Sequence, residues 1–209
     1  WSRGLGDVYK RQGTGRDGGS RGEFMAIFYK PNRFEILEYD HFWLSDTPNI
    51  IGSTTWGHSN RRMVTWIRFL DKKTKREFYF WNTHFDHRVQ PAREKAASLV
   101  NNKVAGLKTE LPIILVGDFN ASAKMNKTYD ILVDAGGFKD TIVTAKESIN
   151  ADWNTINGFR ETRKGSRRID WVLSKGGVKT LEAEIVLFDN NKQYPSDHQP
   201  VSATIVLEK

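Results

Sequence analysis

Leu111-Pro112-Ile113-Ile114-Leu115-Val116-Gly117-Asp118-Phe119-Asn120 is the stretch that decides how this chain is read. A continuous apolar run of this length, closed by Gly, reads as a strand covered on both faces. Such strands belong to sheets packed between other layers, which points to an α/β fold. The Gly-Asp-Phe-Asn at 117–120 then sets a carboxylate and a carboxamide at the strand's C-terminal end, where α/β folds build their sites. An Asp/Asn turn after a strand also has a purely structural explanation, so the tetrapeptide alone does not settle the chemistry.

Three further segments share its design. Asn82-Thr83-His84-Phe85-Asp86 follows the apolar run Phe78–Trp81. Arg168-Ile169-Asp170-Trp171 and Ser196-Asp197-His198 stand near the C-terminus. Each puts an imidazole or a carboxylate beside an apolar run. Hydrolysis of a phosphate ester with a hard metal needs such groups: oxygen ligands, a base for water and donors for the phosphoryl oxygens. Taken singly, each has a bland reading. His84 fits a buried hydrogen-bonding His at a strand end, and Asp197-His198 fits a turn, with Pro200 marking a loop-to-strand junction. Asp170 lies inside an apolar run, where an unpaired carboxylate is costly; it needs a partner, and His198 is the best candidate. Asp86, His87, Arg88 and Arg93 fit either a cleft lining or solvated residues at a helix start.

Around these motifs the pattern predicts strands at 24–29 and 34–39 joined as a hairpin, then strands at 63–70 and 77–83. Ala96, Leu99, Val100, Val104 and Leu107 share one face of a helix over Pro91–Leu107. A second helix is predicted over 125–135, ending at Gly136-Gly137, and 142–165 reads as irregular. Strands at 169–173, 181–188 and 201–207 complete the set. Residues 1–12 carry no periodicity, do not begin with Met and lack the apolar core of a signal peptide. They are expected to be a non-native tract, with 13–209 forming one domain.

The chain has 209 residues, room for one domain with a sizeable core. It carries a net charge of +7, which favours polyanionic partners by long-range attraction, nucleic acid among them. The basic residues are scattered rather than massed, which suits small phosphate esters equally well. Cys is absent, which excludes disulfides, thiolate metal sites and a Cys nucleophile. No apolar run approaches a membrane span. Localisation is left open.

With these residues in view, the chain resembles the endonuclease/exonuclease/phosphatase superfamily, which shares the deoxyribonuclease-I-like fold. The likeness rests on Gly22-Glu23 before a Phe-Tyr strand, Asn-Thr-His, Gly-Asp-Phe-Asn, Ile-Asp and Ser-Asp-His in that order. It implies a four-layer α-β-β-α sandwich of two mixed sheets and a monomeric hydrolase of phosphodiesters or phosphomonoesters. It implies that Asp118 orients or deprotonates the attacking water, with Asn120 beside it. His198 would act at the scissile phosphate, oriented by Asp170, and His84 would be a second imidazole oriented by Glu23. Asp197 would be a metal-site carboxylate and Arg62 a phosphate contact. The all-oxygen ligand set implies Mg²⁺ or Mn²⁺.

The resemblance also implies a strand bearing Asn, a helix and a strand ending in Gln-Glu ahead of Gly13, the last Glu being the principal metal ligand. That pattern is not found there. The expectation is a sandwich lacking its first strand-helix-strand, with weak Mg²⁺ affinity and an exposed sheet edge. The alternative function is an impaired fragment, or a module that binds phosphorylated ligands without turning them over.

Overall fold

The apolar run of residues 113–118 forms the predicted strand inside the largest sheet. The structure is a computed structural model that describes residues 10–188 and 191–208. In chain order, β1 (Lys10–Gln12), β2 (Ile27–Tyr29), β3 (Phe34–Trp43), β4 (Met63–Asp71) and β5 (Arg76–His84) precede α1 (Gln90–Gly106) and β6 (Ile113–Asp118). There follow α2 (Lys127–Asp130), a π-helical turn over Ile131–Ala135, β7 (Lys139–Asp140), α3 (Thr141–Thr144) and β8 (Glu147–Ile149). β9 (Asp170–Lys175), β10 (Val178–Ile185) and β11 (Val201–Leu207) close the set.

The fold is an α/β sandwich of two mixed sheets. The larger has the order β3-β4-β5-β6-β9-β7 and the smaller β11-β10-β8, and β1 and β2 form a separate two-stranded sheet. In the larger sheet only β5 and β6 run parallel, as expected where a helix links two neighbouring strands. That helix is α1, with Pro91 in its first turn, where a missing N–H costs nothing. Val89 supplies no side-chain cap. Asp86 does the work from upstream, its Oδ1 accepting from the backbone N–H of Arg88 at 2.8 Å and Val89 at 2.7 Å.

The predicted apolar face of α1 is the one that packs. Ala96, Val100 and Val104 are buried, and Leu99 and Leu107 lie against the same core as Trp81, Leu115, Phe119 and Trp171. Phe119 stacks on Trp171 with centroids 4.3 Å apart, so the motif's own apolar residue anchors it to the core. The opposite face of the large sheet meets the small one through Ile67, Phe69, Phe78 and Ile114, with Ile205 and Leu207 packed against them. The same inner face continues through Ala183, Ile185 and Ala203, which pack with Ile142 of α3 and Trp153, while Ser202, Thr204 and Val206 on the other face of β11 are exposed. Among the described residues, no helix is long and apolar enough to cross a membrane.

Two expectations change, in the hairpin and in the 142–165 segment. The predicted hairpin at 24–39 does not form: β2 pairs with β1, and β3 runs on to Trp43 against β4. Long-range pairing with Met63–Asp71 satisfies the β3 backbone better than a local turn would. Lys10–Gln12, the end of the 1–12 tract, are part of the fold through that β1–β2 pairing, with Arg11 over the Phe24 ring at 4.9 Å. The rest of the tract lies outside the described residues. Finally, 142–165 is less irregular than its polarity suggests, since it contributes part of α3 and all of β8.

Candidate active site

Strand register builds the site. His84 of β5 is the partner of Asp118 of β6, and Asp118 is in turn the partner of Asp170 of β9. Three motifs distant in sequence therefore end on one row across adjacent strands. β5 and β6 run parallel and finish at the same edge, while β9 begins there, so all three side chains stand at one rim of the sheet.

Ion-pair contacts and a hydrogen bond extend the row at both ends. His84 Nε2 lies 3.2 Å from Asp118 Oδ2, and its Nδ1 lies 3.5 Å from Glu23 Oε2. His198 Nδ1 lies 2.8 Å from Asp170 Oδ2. The carboxylate accepts, so Nδ1 carries a proton and Nε2 is the ring nitrogen outside this bond. The sequence Glu23–His84–Asp118 and the pair Asp170–His198 thus meet where the two carboxylates face each other.

Electrostatics separate the two acids. Burial works against the Asp118 charge, but the hydrogen bond and charge of His84 outweigh it and hold this carboxyl below its usual range. Asp170 goes the other way: burial, aided by the neighbouring Asp118 charge, raises it. The hydrogen bond to Asp170 raises His198, favouring the imidazolium. Paired groups pushed apart in this way mark acid and base roles.

Asn120 adopts φ of +49°, a left-handed conformation that Asn tolerates better than most residues. It gains three contacts there. Its backbone N–H donates to Asp118 Oδ1 at 2.8 Å, and its Nδ2 donates to Phe85 O at 3.0 Å and reaches Asp118 Oδ2 at 3.2 Å. Asn120 therefore fixes the Asp118 carboxylate. Gly117 is required just before it, because its φ is +151° and a Cβ would stand 2.0 Å from Thr83 O.

A cavity of about 310 Å³ opens at this rim, lined by Gly117, Asp118, Asp170, His198 and Pro200 among others. A larger hollow, of about 860 Å³, lies between Trp56 and α1 and contains none of these groups. One ligand atom from each of Asp118, Asp170 and His198 lies within 4.8 Å of the others, a set that could hold a cation. The two carboxylates suit a hard divalent ion, beside which a protonated His198 would stand as a donor rather than a ligand.

Two residues read from sequence stand apart from this set. Asp197 is exposed and is not among those candidate ligands. Its backbone carbonyl instead accepts from Asn157 and Gly158 at 2.8 and 3.0 Å. Arg62 is only 3% exposed and lies beneath the site. It donates to His87 Nδ1 at 3.2 Å and stands 3.9 Å from both Glu23 and Asp86. Asp86 and Arg93 act at the helix start, where Arg93 Nη1 donates to Asp86 O at 2.8 Å.

Thr155 was not legible from its sequence context. Its hydroxyl accepts from the backbone N–H of Ile169 at 2.9 Å and of Asp170 at 3.1 Å, fixing the start of β9. A lone Thr in a polar stretch carries no pattern that would single it out. Nor did Asp140 stand out, although it accepts from Arg168 and Tyr129 in the interior and so clamps the residues before Asp170.

Sandwich and site together define a phosphoester-hydrolase scaffold. The chain belongs to the Endonuclease/Exonuclease/phosphatase family, whose model matches residues 2–198. Members of that family are hydrolases acting on phosphoester bonds. The chain is similar to the mannosyl-6-phosphatase Bt3783 of Bacteroides thetaiotaomicron VPI-5482, at 33% identity and a TM-score of 0.88, covering 95% of this chain and 77% of that one. It is also similar to an endonuclease/exonuclease/phosphatase protein of Bacteroides vulgatus, at 31% identity and a TM-score of 0.87, covering 96% of this chain and 77% of that one. The uncharacterised protein L388 of Acanthamoeba polyphaga mimivirus is 31% identical over 112 residues, half of this chain. The match spans 40% of the length of that curated relative.

Proposed function

We propose that this chain is a divalent-metal-dependent phosphohydrolase that cleaves a small phosphomonoester by in-line attack of water. The observation that carries the reading is the row His84–Asp118–Asp170–His198, with each imidazole tied to one carboxylate.

The roles follow from that row. Asp118, kept ionised by His84 and aligned by Asn120, accepts a hydrogen bond from the attacking water. His198, kept protonated by Asp170, donates through Nε2 to a phosphoryl oxygen, where negative charge accumulates as the ester bond breaks. Glu23 holds His84 from its far side. Arg62 secures Glu23 and Asp86 from below, so it acts on the row at one remove. Asp118 and Asp170 would hold Mg²⁺ or Mn²⁺, with Asp197, the chain neighbour of His198, as a further carboxylate. The ion would supply charge neutralisation at the phosphoryl group and a lowered pKa for water.

The monoester preference is supported by the 33% identity to a mannosyl-6-phosphatase and by the modest size of the cavity. The test is phosphate release from mannose 6-phosphate with Mn²⁺ or Mg²⁺, compared with bis-p-nitrophenyl phosphate and single-stranded DNA. Turnover of the hexose phosphate, abolished by EDTA and by His198→Ala, is the expected result. Cleavage of DNA in preference to the monoester would replace this reading with a nuclease.

A further inference from the structure

The hairpin-like loop between Thr155 and Arg167 reaches the catalytic rim and displays side chains that none of the chemistry above uses. Its base is tied down. Trp153 and Lys164 form a bridge, and the backbone N–H of Thr155 donates to Arg167 O at 3.1 Å. Its advancing side lies against the His198 segment. Ile156 bridges His198, the Gln199 N–H donates to Thr155 O at 2.6 Å, and both Asn157 and Gly158 donate to Asp197 O. Phe159 therefore stands directly beyond a backbone stretch bonded to the neighbour of His198.

Phe159 is anomalous in two ways. Its φ is +59°, a conformation rarely adopted by a bulky residue, held by an Asn157 side chain that accepts its N–H at 2.7 Å. Its ring is 62% exposed and belongs to none of the buried clusters of the core. The chain thus accepts backbone strain at this position and recovers no burial from it, the pattern found where a site rather than a fold sets the conformation. Arg160, Arg163 and Arg167 flank it, all exposed, and none forms an ion pair among the described residues. Exposed cations of this kind raise the local concentration of anionic esters.

We infer that the 156–163 loop is the leaving-group subsite of the phosphohydrolase, with the Phe159 ring as the platform for a pyranose ring esterified to the reacting phosphate. One face of a pyranose carries axial C–H groups that pack on an aromatic ring, and its hydroxyls suit the Asn157 amide and Arg160 guanidinium beside it. An acyclic leaving group offers no such face. The inference rests on the phosphomonoester reading but adds a prediction of its own.

The experiment compares wild type with Phe159→Ala and Phe159→Trp. Turnover with Mn²⁺ is measured on glucose 6-phosphate, mannose 6-phosphate and glycerol 3-phosphate. Binding of the same three esters is measured by calorimetry in a His198→Ala background, with and without the Phe159 substitution. Phe159→Ala is expected to reduce the hexose-to-glycerol ratio of kcat/KM about tenfold, mostly through KM, which corresponds to about 1.4 kcal/mol. Phe159→Trp should restore it. An unchanged ratio overturns the subsite while leaving the hydrolase reading intact. If no ester is turned over but Phe159→Ala still weakens hexose phosphate binding selectively, the hydrolase reading fails and the subsite stands. Thermal unfolding is the control: a fall of more than about 5 °C in Tm for Phe159→Ala would show the ring to be a packing element and overturn the inference.

Discussion

Asp118 and Asp170 are direct cross-strand partners in the β6–β9 pair, two carboxylates held opposite each other at the rim of the sheet. Like charges in that position destabilise a sheet. Here each has its own imidazole, His84 at 3.2 Å and His198 at 2.8 Å. The site is therefore an electrostatic conflict resolved by two histidines, and a cation between the acids would resolve it further. Predictions about the row follow from which of these neighbours is removed.

Replacing Asp170 by Asn removes the group that keeps His198 protonated. The functional form of His198 is the imidazolium, which is lost as pH rises through its raised pKa. Asp170→Asn should therefore move the alkaline fall in rate toward lower pH and reduce kcat about 100-fold or more, the scale of a general acid. A pH–rate profile with Mn²⁺ checks this; an alkaline limb that stays in place would mean that His198 is not the titrating group.

Asn120 separates local strain from chemistry. Asn120→Gly relieves the positive φ but removes the amide that aligns Asp118. Stability should stay within about 1 kcal/mol of wild type, while activity falls by one or two orders of magnitude (about 10- to 100-fold) because one orienting hydrogen bond is gone. Gly117→Ala is the opposite case: with Thr83 O in the way, it should lower stability by more than about 2 kcal/mol. Urea unfolding of both variants gives the comparison.

Arg168 and Asp140 form a buried ion pair, 6% and 2% exposed, with Tyr129 donating to the same carboxylate. Removing one partner strands a charge in the interior. Arg168→Ala should cost about 3–5 kcal/mol, which for a chain of this size lowers Tm by roughly 10 °C. It should also impair activity, because the carbonyl of Arg168 accepts from Ala123 and from the Trp171 indole, linking β9 to the Asn120 loop. A loss below about 1 kcal/mol would show that water replaces the guanidinium.

Asp71 supplies an acid-sensitive clasp far from the site. Arg33 and the Lys73 N–H hold its carboxyl down to a pKa of about 2 from an ordinary 3.8, against the effect of burial. A depressed carboxyl stabilises the fold at pH values above its unfolded pKa, and that contribution disappears as pH falls from 3.8 through 2. Asp71→Asn should cost about 1–2 kcal/mol at neutral pH and progressively less below pH 3.8. Denaturation at pH 7 and in acid tests it: a variant equally destabilised at both would rule out the ion pair as the source.

How far the sequence could be read depended on the range of the forces involved. β6, β9 and α1 were legible because their apolar patterns are local and strong, and the motif ends of β5 and β6 followed from them. His198 could be matched to Asp170 because a carboxylate in an apolar run demands a partner. The failures were long-range. Nothing local told β3 to pair with β4 rather than with β2, and nothing marked Thr155 as the support of Asp170, since a single hydroxyl has no period. The burial of Arg62, 3.9 Å from both Glu23 and Asp86, likewise depends on packing that only the fold reveals.

The arrangement around Thr155 also bears on how such a scaffold changes over time. The loop is secured at its two ends, by Thr155 with the Arg167 carbonyl at its root and by the Asp197 carbonyl near its tip. Neither anchor involves the side chains displayed between them. The stretch from Phe159 to Thr162, between those anchors, is therefore a replaceable cassette, free to vary in length and composition while the catalytic row keeps its geometry. Diversification of what the rim accepts should concentrate there, and a library confined to that stretch is where selectivity can be redirected without rebuilding the chemistry.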